Sequence, residues 1–477
     1  MLGRLRNVRV QLALVAASAL LVRLWAIGAW SQYQSPEGDE AFYWRQAQYL
    51  ADGFGFVYRN NFGELVTTAV HPPLYSAYLA FTALFGFSDD SHVPYRVATA
   101  LLGVATVVVV GLVGRRVAGA GAGVLAAGLA AFYPNLWIND AKLTAESLYA
   151  LLVALVLFAS LRYLDEPSGA RAAVLGAVVG LAALTRAEAV MLLVLLVAPL
   201  ILWRASLGGV RQRTAQLGVA IVAGLAVMAP WVVRNLVVFE RPALLSTGGG
   251  FVLEISNCDQ TYGLAPPRGP DGSPRPDASA DTYLGYWARD CDRSDRAVYG
   301  NQARPWPAGD ETVVEQEKRR IGLDYMRDHW RLVPKVIAAR VGRIWDLWRP
   351  GQSNDFNLFF ERRNVGWVIR DCPTGAGQSC VPYVVYFQAV GMAMYYVMLP
   401  LAVAGGVVLW RRAQTVIPFV AVAASATLTA AVSFGITRYR VAADVAIPIL
   451  AAVAVTAGWR VIRTRRPLAD RVAGAVA

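Results

Sequence analysis

The chain has 477 residues, 56% of them hydrophobic and only 16% charged, with a formal net charge of +12. A soluble domain of this length carries about 25% charged residues, so the composition excludes a soluble chain and indicates a polytopic membrane protein with one sizeable part outside the bilayer. The basic excess raises nucleic acid as a partner, a question its distribution along the chain decides.

A helix needs about 20 apolar residues to cross hydrocarbon. In chain order the sequence predicts an all-α membrane bundle of about ten spans, near 10–31, 93–113, 118–134, 144–161, 172–185, 188–203, 215–233, 383–410, 414–435 and 441–459. The third, fifth and sixth are short for a crossing. The first has a charged front and an apolar middle, as a signal peptide does. It carries Arg23, Trp25 and Trp30 where a cleavage site would need small residues, so it reads as a retained span. The seventh ends in Pro230 and Trp231, an interfacial stop.

One set of span ends carries 17 basic residues against three acids, Asp165, Glu166 and Asp470. The chain totals are 45 and 33, so the remainder holds 28 basic and 30 acidic residues. The entire positive excess therefore lies on one side. That is the positive-inside pattern, with both termini cytoplasmic, and it removes the need for a nucleic-acid partner. The outer segments are then 32–92, 135–143, 234–382 and 436–440. The organisation predicted is a membrane module at 1–234 containing the first outer loop, an exocytoplasmic segment at 235–382, and a C-terminal membrane part with a basic tail at 383–477. All four cysteines, Cys258, Cys291, Cys372 and Cys380, fall in the large outer segment, where disulfides are expected. Three connectivities are possible, and proximity favours Cys258–Cys291 with Cys372–Cys380. Residues 71–87 and 331–348 read as helices lying on the membrane, the second with apolar and basic faces at helical spacing. Residues 262–310 read as an irregular loop.

The first outer loop opens with "SPEGDEAFYW". Ser35 can cap a helix, Pro36 suits its first turn and Gly53 can close it. Asp39 and Glu40 then lie in the first turn, where the helix dipole favours their anions. Consecutive helical residues point about 100° apart, so the two acids cannot both face one substrate atom. Glu40 is left as a donor contact, a salt-bridge partner or a solvated neighbour. On the same outer side stand His71 before Pro72–Pro73, then Asp140, Lys142 and Glu146 in "NDAKLTAES". "LTRAE" supplies Arg186 and Glu188, "PWVVRN" Arg234, and "TRYR" Arg438, Tyr439 and Arg440. Arginines at span ends commonly snorkel to lipid phosphate. Carboxylates and arginines gathered at one boundary instead point to a site for an anionic, membrane-held substrate, since the guanidinium fork suits phosphate oxygens. Phe42, Tyr43 and Trp44 offer aromatic faces to a sugar ring, and equally suit an interfacial belt.

The ordered set "EGDEAFYW", "HPPLY", "KLTAESLY", "LTRAE", "PWVVRN" and "SFGITRYRVAADVAIP" resembles the GT-C glycosyltransferases of the protein O-mannosyltransferase and aminoarabinose transferase type, the family-39-like enzymes. The resemblance is strongest over 30–250 and 433–449; residues 250–380 do not match in detail. It implies a plasma-membrane enzyme that moves a sugar from a polyprenyl-phosphate donor to an acceptor hydroxyl on the outer face, with inversion. The acceptor would be a glycan, a lipid or a protein. By the resemblance Asp39 is the catalytic base and Glu146 a second acidic site residue, for which Asp140 competes. Arg186, Arg234, Arg438, Arg440 and Lys142 become donor-phosphate contacts, and Glu40, Tyr43, His71, Asp140 and Tyr439 substrate contacts. It fixes no cofactor; a divalent metal is possible, although no second histidine follows His71 closely. The rival reading is a transporter or flippase for a lipid-linked or anionic solute. Transporters keep ionisable groups near the bilayer midplane in repeated halves, whereas the acids here lie outside the spans.

Overall fold

The computed structural model describes residues 7–29, 36, 38–59, 63–83, 91–203, 209–266, 279–288, 291, 310–351 and 383–473, without the side chains of 383–388 and 464–473. The first span, α1 (Val8–Ala29), is followed in the outer loop by α2 (Asp39–Ala51), a hairpin of β1 (Val57–Arg59) and β2 (Leu65–Thr67), and α3 (Leu74–Ala83). Then come α4 (Val93–Ala118), α5 (Ala120–Phe132), α6 (Pro134–Asp140), α7 (Glu146–Asp165), α8 (Gly169–Ala183), α9 (Ala187–Leu202) and α10 (Val210–Val238). The large outer segment contributes α11 (Gly249–Ser256), α12 (Glu311–Asp328) and α13 (Val333–Ile344). The chain returns through α14 (Tyr383–Arg411), α15 (Ile417–Val432), a tight 3-10 turn at Thr437–Arg440, and α16 (Val441–Ala473).

Every apolar segment read from the sequence is helical. Among the described residues six helices, α1, α4, α7, α10, α14 and α16, are long and apolar enough to cross a membrane. The pair α5 and α6 meets the same test together, bent by 60°. The bend has a local cause: Tyr133 is extended (φ −74°, ψ 109°) and Pro134, which has no N–H to continue the ladder, opens α6. The remaining segments, α8, α9 and α15, are shorter apolar helices. Helix α9 runs from a 3-10 turn at Ala187–Met191 through a π turn at Leu193–Val197, so its ladder is irregular along most of its length. Small residues let neighbours close up: a Cβ on Gly176 of α8 would sit 1.8 Å from the Ala220 carbonyl oxygen of α10.

The basic span ends collect at one pole. Arg460 of α16 donates to the Ala118 carbonyl at the end of α4 (3.0 Å), Arg116 pairs with Asp165 at the end of α7, and Arg171 pairs with Glu166. The opposite ends of α7 and α16 begin at Glu146 and just after Arg438, and α8 is followed by Arg186. The acidic and arginine motifs of the outer side therefore share the other pole.

Several local expectations change. Helix α2 begins at Asp39, not near Ser35; Gly38 precedes it at φ +56°, a left-handed conformation that suits glycine. Ser35 lies outside the described residues. The β1–β2 hairpin, with Tyr58 opposite Val66, is an addition to the otherwise helical reading. Within segment 71–87, Leu74–Ala83 forms α3, whose Tyr75, Ser76, Leu79 and Thr82 are buried, while 84–87 lie outside the described residues. In segment 331–348 the basic positions divide: Arg331 and Lys335 are exposed, whereas the other two turn inward. Arg340 and Arg343 of α13 are buried and hold carbonyls: Arg340 donates to Ser256 (2.6 Å), Arg343 to Leu284 (2.7 Å) and Thr282 (2.6 Å). Carbonyls that lack ladder partners explain why cations were drawn inward. Cys258 and Cys291 form a disulfide with Cα atoms 5.8 Å apart, while Cys372 and Cys380, and most of 262–310, lie outside the described residues.

Candidate active site

Four segments distant in sequence meet at the pole opposite the basic span ends: the start of α2, the loop holding His71, the junction of α8 and α9, and the 3-10 turn before α16. They line a cavity of about 880 Å³ whose wall includes Asp39, Tyr43, His71, Arg186, Glu188, Arg438 and Tyr439.

The helical turn at Gly38–Glu40 separates its two acids. Asp39 faces the cavity, with its side chain 39% exposed there. Glu40 points into the fold, where it pairs with Arg96 of α4 (3.4 Å) and lies 3.5 Å from the Leu143 amide, with Lys142 beside it. Burial pushes the Glu40 carboxyl above the usual carboxylate range, against the pull of Lys142 and Arg96.

Arg438 joins the two acids of the site. Its Nη1 donates to Asp39 Oδ2 at 2.5 Å, while Nε and Nη2 both donate to Glu146. Glu146, at the start of α7, is completely buried and also accepts from Arg186. Arg186 donates from Nε to Glu188 at 2.5 Å and lies over the Tyr439 ring, 5.0 Å from its centre. The backbone makes this possible: the Arg186 amide donates to Ala182 (2.8 Å), closing α8 as its side chain turns into the site. On the other side His71 Nε2 stands 3.6 Å from Asp39 Oδ1, its ring 4.9 Å from that of Tyr43. Desolvation at the wall works against an ionised Asp39, but Arg438 and His71 outweigh it and hold the carboxyl well below the usual range. The same surroundings push the Tyr43 hydroxyl up, through burial first and then the Asp39 charge.

Other residues singled out in the sequence go elsewhere. Asp140 makes a separate buried pair with Arg23 of α1 (2.8 Å). Arg234 clamps the first outer loop, donating to the Thr68 (3.2 Å) and Phe56 (3.1 Å) carbonyls with its guanidinium 4.8 Å from the Trp231 ring centre. Arg440 turns away from the cavity to Asp346 (2.8 Å), Asp444 (3.1 Å) and the Ile344 carbonyl (2.8 Å). None of Glu40, Asp140, Lys142, Arg234 or Arg440 lines the main cavity.

One residue named without a role and one helix that was missed complete the site. Glu188 stands beside Arg186 in "LTRAE" and completes its ion pairing. Helix α12 supplies Glu311, Glu315 and Lys318 to the far wall of the cavity. Glu311 accepts from Thr68 Oγ1 (2.9 Å), the Ala69 amide (2.6 Å) and Thr247 Oγ1 (2.8 Å), fastening the outer segment to the loop that carries His71. Glu315 accepts from the Gly250 amide (2.6 Å) and the Phe251 amide (3.2 Å) at the start of α11, and burial raises its carboxyl to about 7. The signal was a face of α12 carrying acids at i and i+4 and lysine at i+7, where a core-facing helix would be apolar.

Among the described residues no three His, Cys, Asp or Glu side chains gather as a metal-binding group. His71 and Asp39 are adjacent, but the next acid, Glu146, is occupied by Arg186 and Arg438. This donor set does not fit a protein-held metal of three ligands.

Residues 70–233 match the family described as dolichyl-phosphate-mannose-protein mannosyltransferase. No curated protein matches the chain. Among solved structures, the apo oligosaccharyltransferase of Archaeoglobus fulgidus shares 13% identity at a TM-score of 0.51, over 98% of this chain and 52% of its own. The same enzyme tethered to an acceptor peptide with the NVT sequon gives 13% identity and 0.51, over 98% and 51%. The chain thus spans about half the length of the oligosaccharyltransferases it matches. ArnT of Cupriavidus metallidurans, bound to undecaprenyl phosphate, is 18% identical with a TM-score of 0.41, over 94% and 77%. Motif order, the family match and the fold agree: the chain is an all-α polytopic membrane protein that resembles the GT-C glycosyltransferases.

Proposed function

We propose that the protein is a membrane glycosyltransferase that moves a sugar from a polyprenyl-phosphate donor to an acceptor hydroxyl on the exocytoplasmic face of the plasma membrane. The observation that carries this reading is the placement of Asp39 on the cavity wall against Arg438, with Glu146 and Arg186 directly behind. Support for the donor class comes from the match over 70–233 to a family described by its dolichyl-phosphate mannose.

An acceptor hydroxyl is a poor nucleophile until a base within hydrogen-bond reach takes its proton. Asp39 is that base. As the proton passes to its carboxylate, the acceptor oxygen bonds to the anomeric carbon and the bond from that carbon to the phosphate oxygen breaks. The lipid phosphate leaves with the electron pair. One displacement at one carbon inverts the configuration. Negative charge grows on the departing phosphate, where preplaced guanidiniums lower the barrier most; Arg438 and Arg186 are the cavity-lining arginines anchored for this by Glu146 and Glu188. Glu146 acts as their anchor and not as a second base, since it is fully buried behind them. Tyr43, His71 and Tyr439 offer rings and polar atoms to the sugar.

The test is mass spectrometry of envelope glycans, lipids and glycoproteins from cells with the gene, without it, and complemented with Asp39→Asn. A sugar-bearing product should vanish on deletion and stay absent with Asp39→Asn, while the variant still inserts. Full restoration by that variant would remove Asp39 from the mechanism. Solute uptake by vesicles with no covalent product would instead mark a transporter.

A further inference from the structure

The proposed base is held in a form poorly suited to its task. A general base works best when its basicity lies near the operating pH, and a carboxylate tied to an arginine fork is a weak proton acceptor. The contacts of Arg438 are not equivalent, however. Its Nε and Nη2 engage Glu146, which is completely buried, whereas Nη1 reaches Asp39, which is 39% exposed to the cavity. An anion arriving in the cavity can compete for the Asp39 contact and leave the Glu146 contact intact. Arg186 offers less, because Glu146 and Glu188 both hold it.

From this geometry we infer that Asp39 is restrained by Arg438 until the donor's phosphate displaces it, so that the anionic donor switches on the base that will activate the acceptor. This rests on the glycosyltransferase reading and deepens it. Phosphate and carboxylate compete for one guanidinium edge; once the phosphate wins, Asp39 keeps its place beside His71 but loses its strongest counter-charge and becomes a better proton acceptor. The order has a chemical use. With no donor bound, Asp39 stays ion-paired and activates neither water nor an acceptor hydroxyl. With donor bound, Arg438 is already on the leaving group and the base is free. No covalent step is added, and the proton follows the path given above.

The competition can be read from binding alone. The full-length protein in nanodiscs would be titrated with undecaprenyl phosphate and followed by native mass spectrometry, as wild type, Asp39→Asn, Asp39→Ala and Asp39→Glu. Asp39→Asn and Asp39→Ala remove the competing charge, so each should bind the lipid phosphate roughly tenfold more tightly. Asp39→Glu keeps a carboxylate and should bind no more tightly than wild type. The two neutral variants check each other if one fails to fold. If the neutral variants bind as wild type does, or more weakly, the restraint is overturned while the donor assignment stands. If wild type and variants all fail to bind, the polyprenyl-phosphate reading itself falls.

Discussion

Arg438 and Arg440 are two residues apart in "TRYR" and serve different ends. The 3-10 turn that carries them sends Arg438 into the cavity and Arg440 into the packed interior. Lysine at 438 keeps a charge but cannot hold Asp39 and Glu146 together, because only the guanidinium presents a planar fork. Arg438→Lys should therefore insert normally and lose about 100-fold or more in transfer, read from product formation in complemented cells. Arg440→Ala should act on stability instead. It strands Asp346 and Asp444 without their cation in a buried site, a change that costs about 3–5 kcal/mol, and a lowered thermal midpoint of the purified protein would show it. Sequence alone could not divide this pair: both arginines follow the same motif, and what separates them is the position of Asp346, nearly a hundred residues away in chain order. The Asp39–Glu40 pair was more legible, because helical geometry already requires the two acids to diverge. That Glu40 is the one to turn inward depends on Arg96, on a helix whose apolar sequence announces only a span.

At the scale of elements, the helices that cross or nearly cross could be read from apolar length, while the outer helices could not. Helix α12 looks like a solvated, highly charged helix, and its long exposed face is one. Its other face carries Glu311 and Glu315 into the cavity wall, where backbone amides and hydroxyls satisfy them. A charge pattern cannot reveal those partners, since they are main-chain groups of other segments. The arrangement has a pH signature. Glu315 has its folded pKa raised from 4.5 to about 7 by burial. A carboxyl raised in the folded state contributes stability that is present below about 4.5 and lost as pH climbs through about 7. The packing of α11 on α12 should therefore loosen between roughly pH 4.5 and 7. Glu315→Gln, which stays neutral, should flatten that dependence. Thermal midpoints of both proteins across that range measure it; parallel slopes would remove Glu315 as the cause.

For the whole molecule, the positive-inside reading of the sequence and the poles of the fold bear on the same question from independent data. Counting charges assigns the arginine-rich ends to the cytoplasm. The fold, which contains no membrane, gathers those ends together and puts the cavity at the opposite ends of α7 and α16. If the charge rule holds, the cavity and the Cys258–Cys291 disulfide both face an oxidising exterior, as a disulfide requires. A cysteine placed at either pole tests this. The Glu317 side chain is 44% exposed on α12 at the cavity side, and Gln212 is exposed among the basic residues at the start of α10. In intact cells a membrane-impermeant maleimide should label Glu317→Cys and leave Gln212→Cys untouched until the membrane is opened. The reverse pattern would invert the molecule and carry the proposed active site to the cytoplasm, where the donor's sugar would have to be presented on the opposite leaflet.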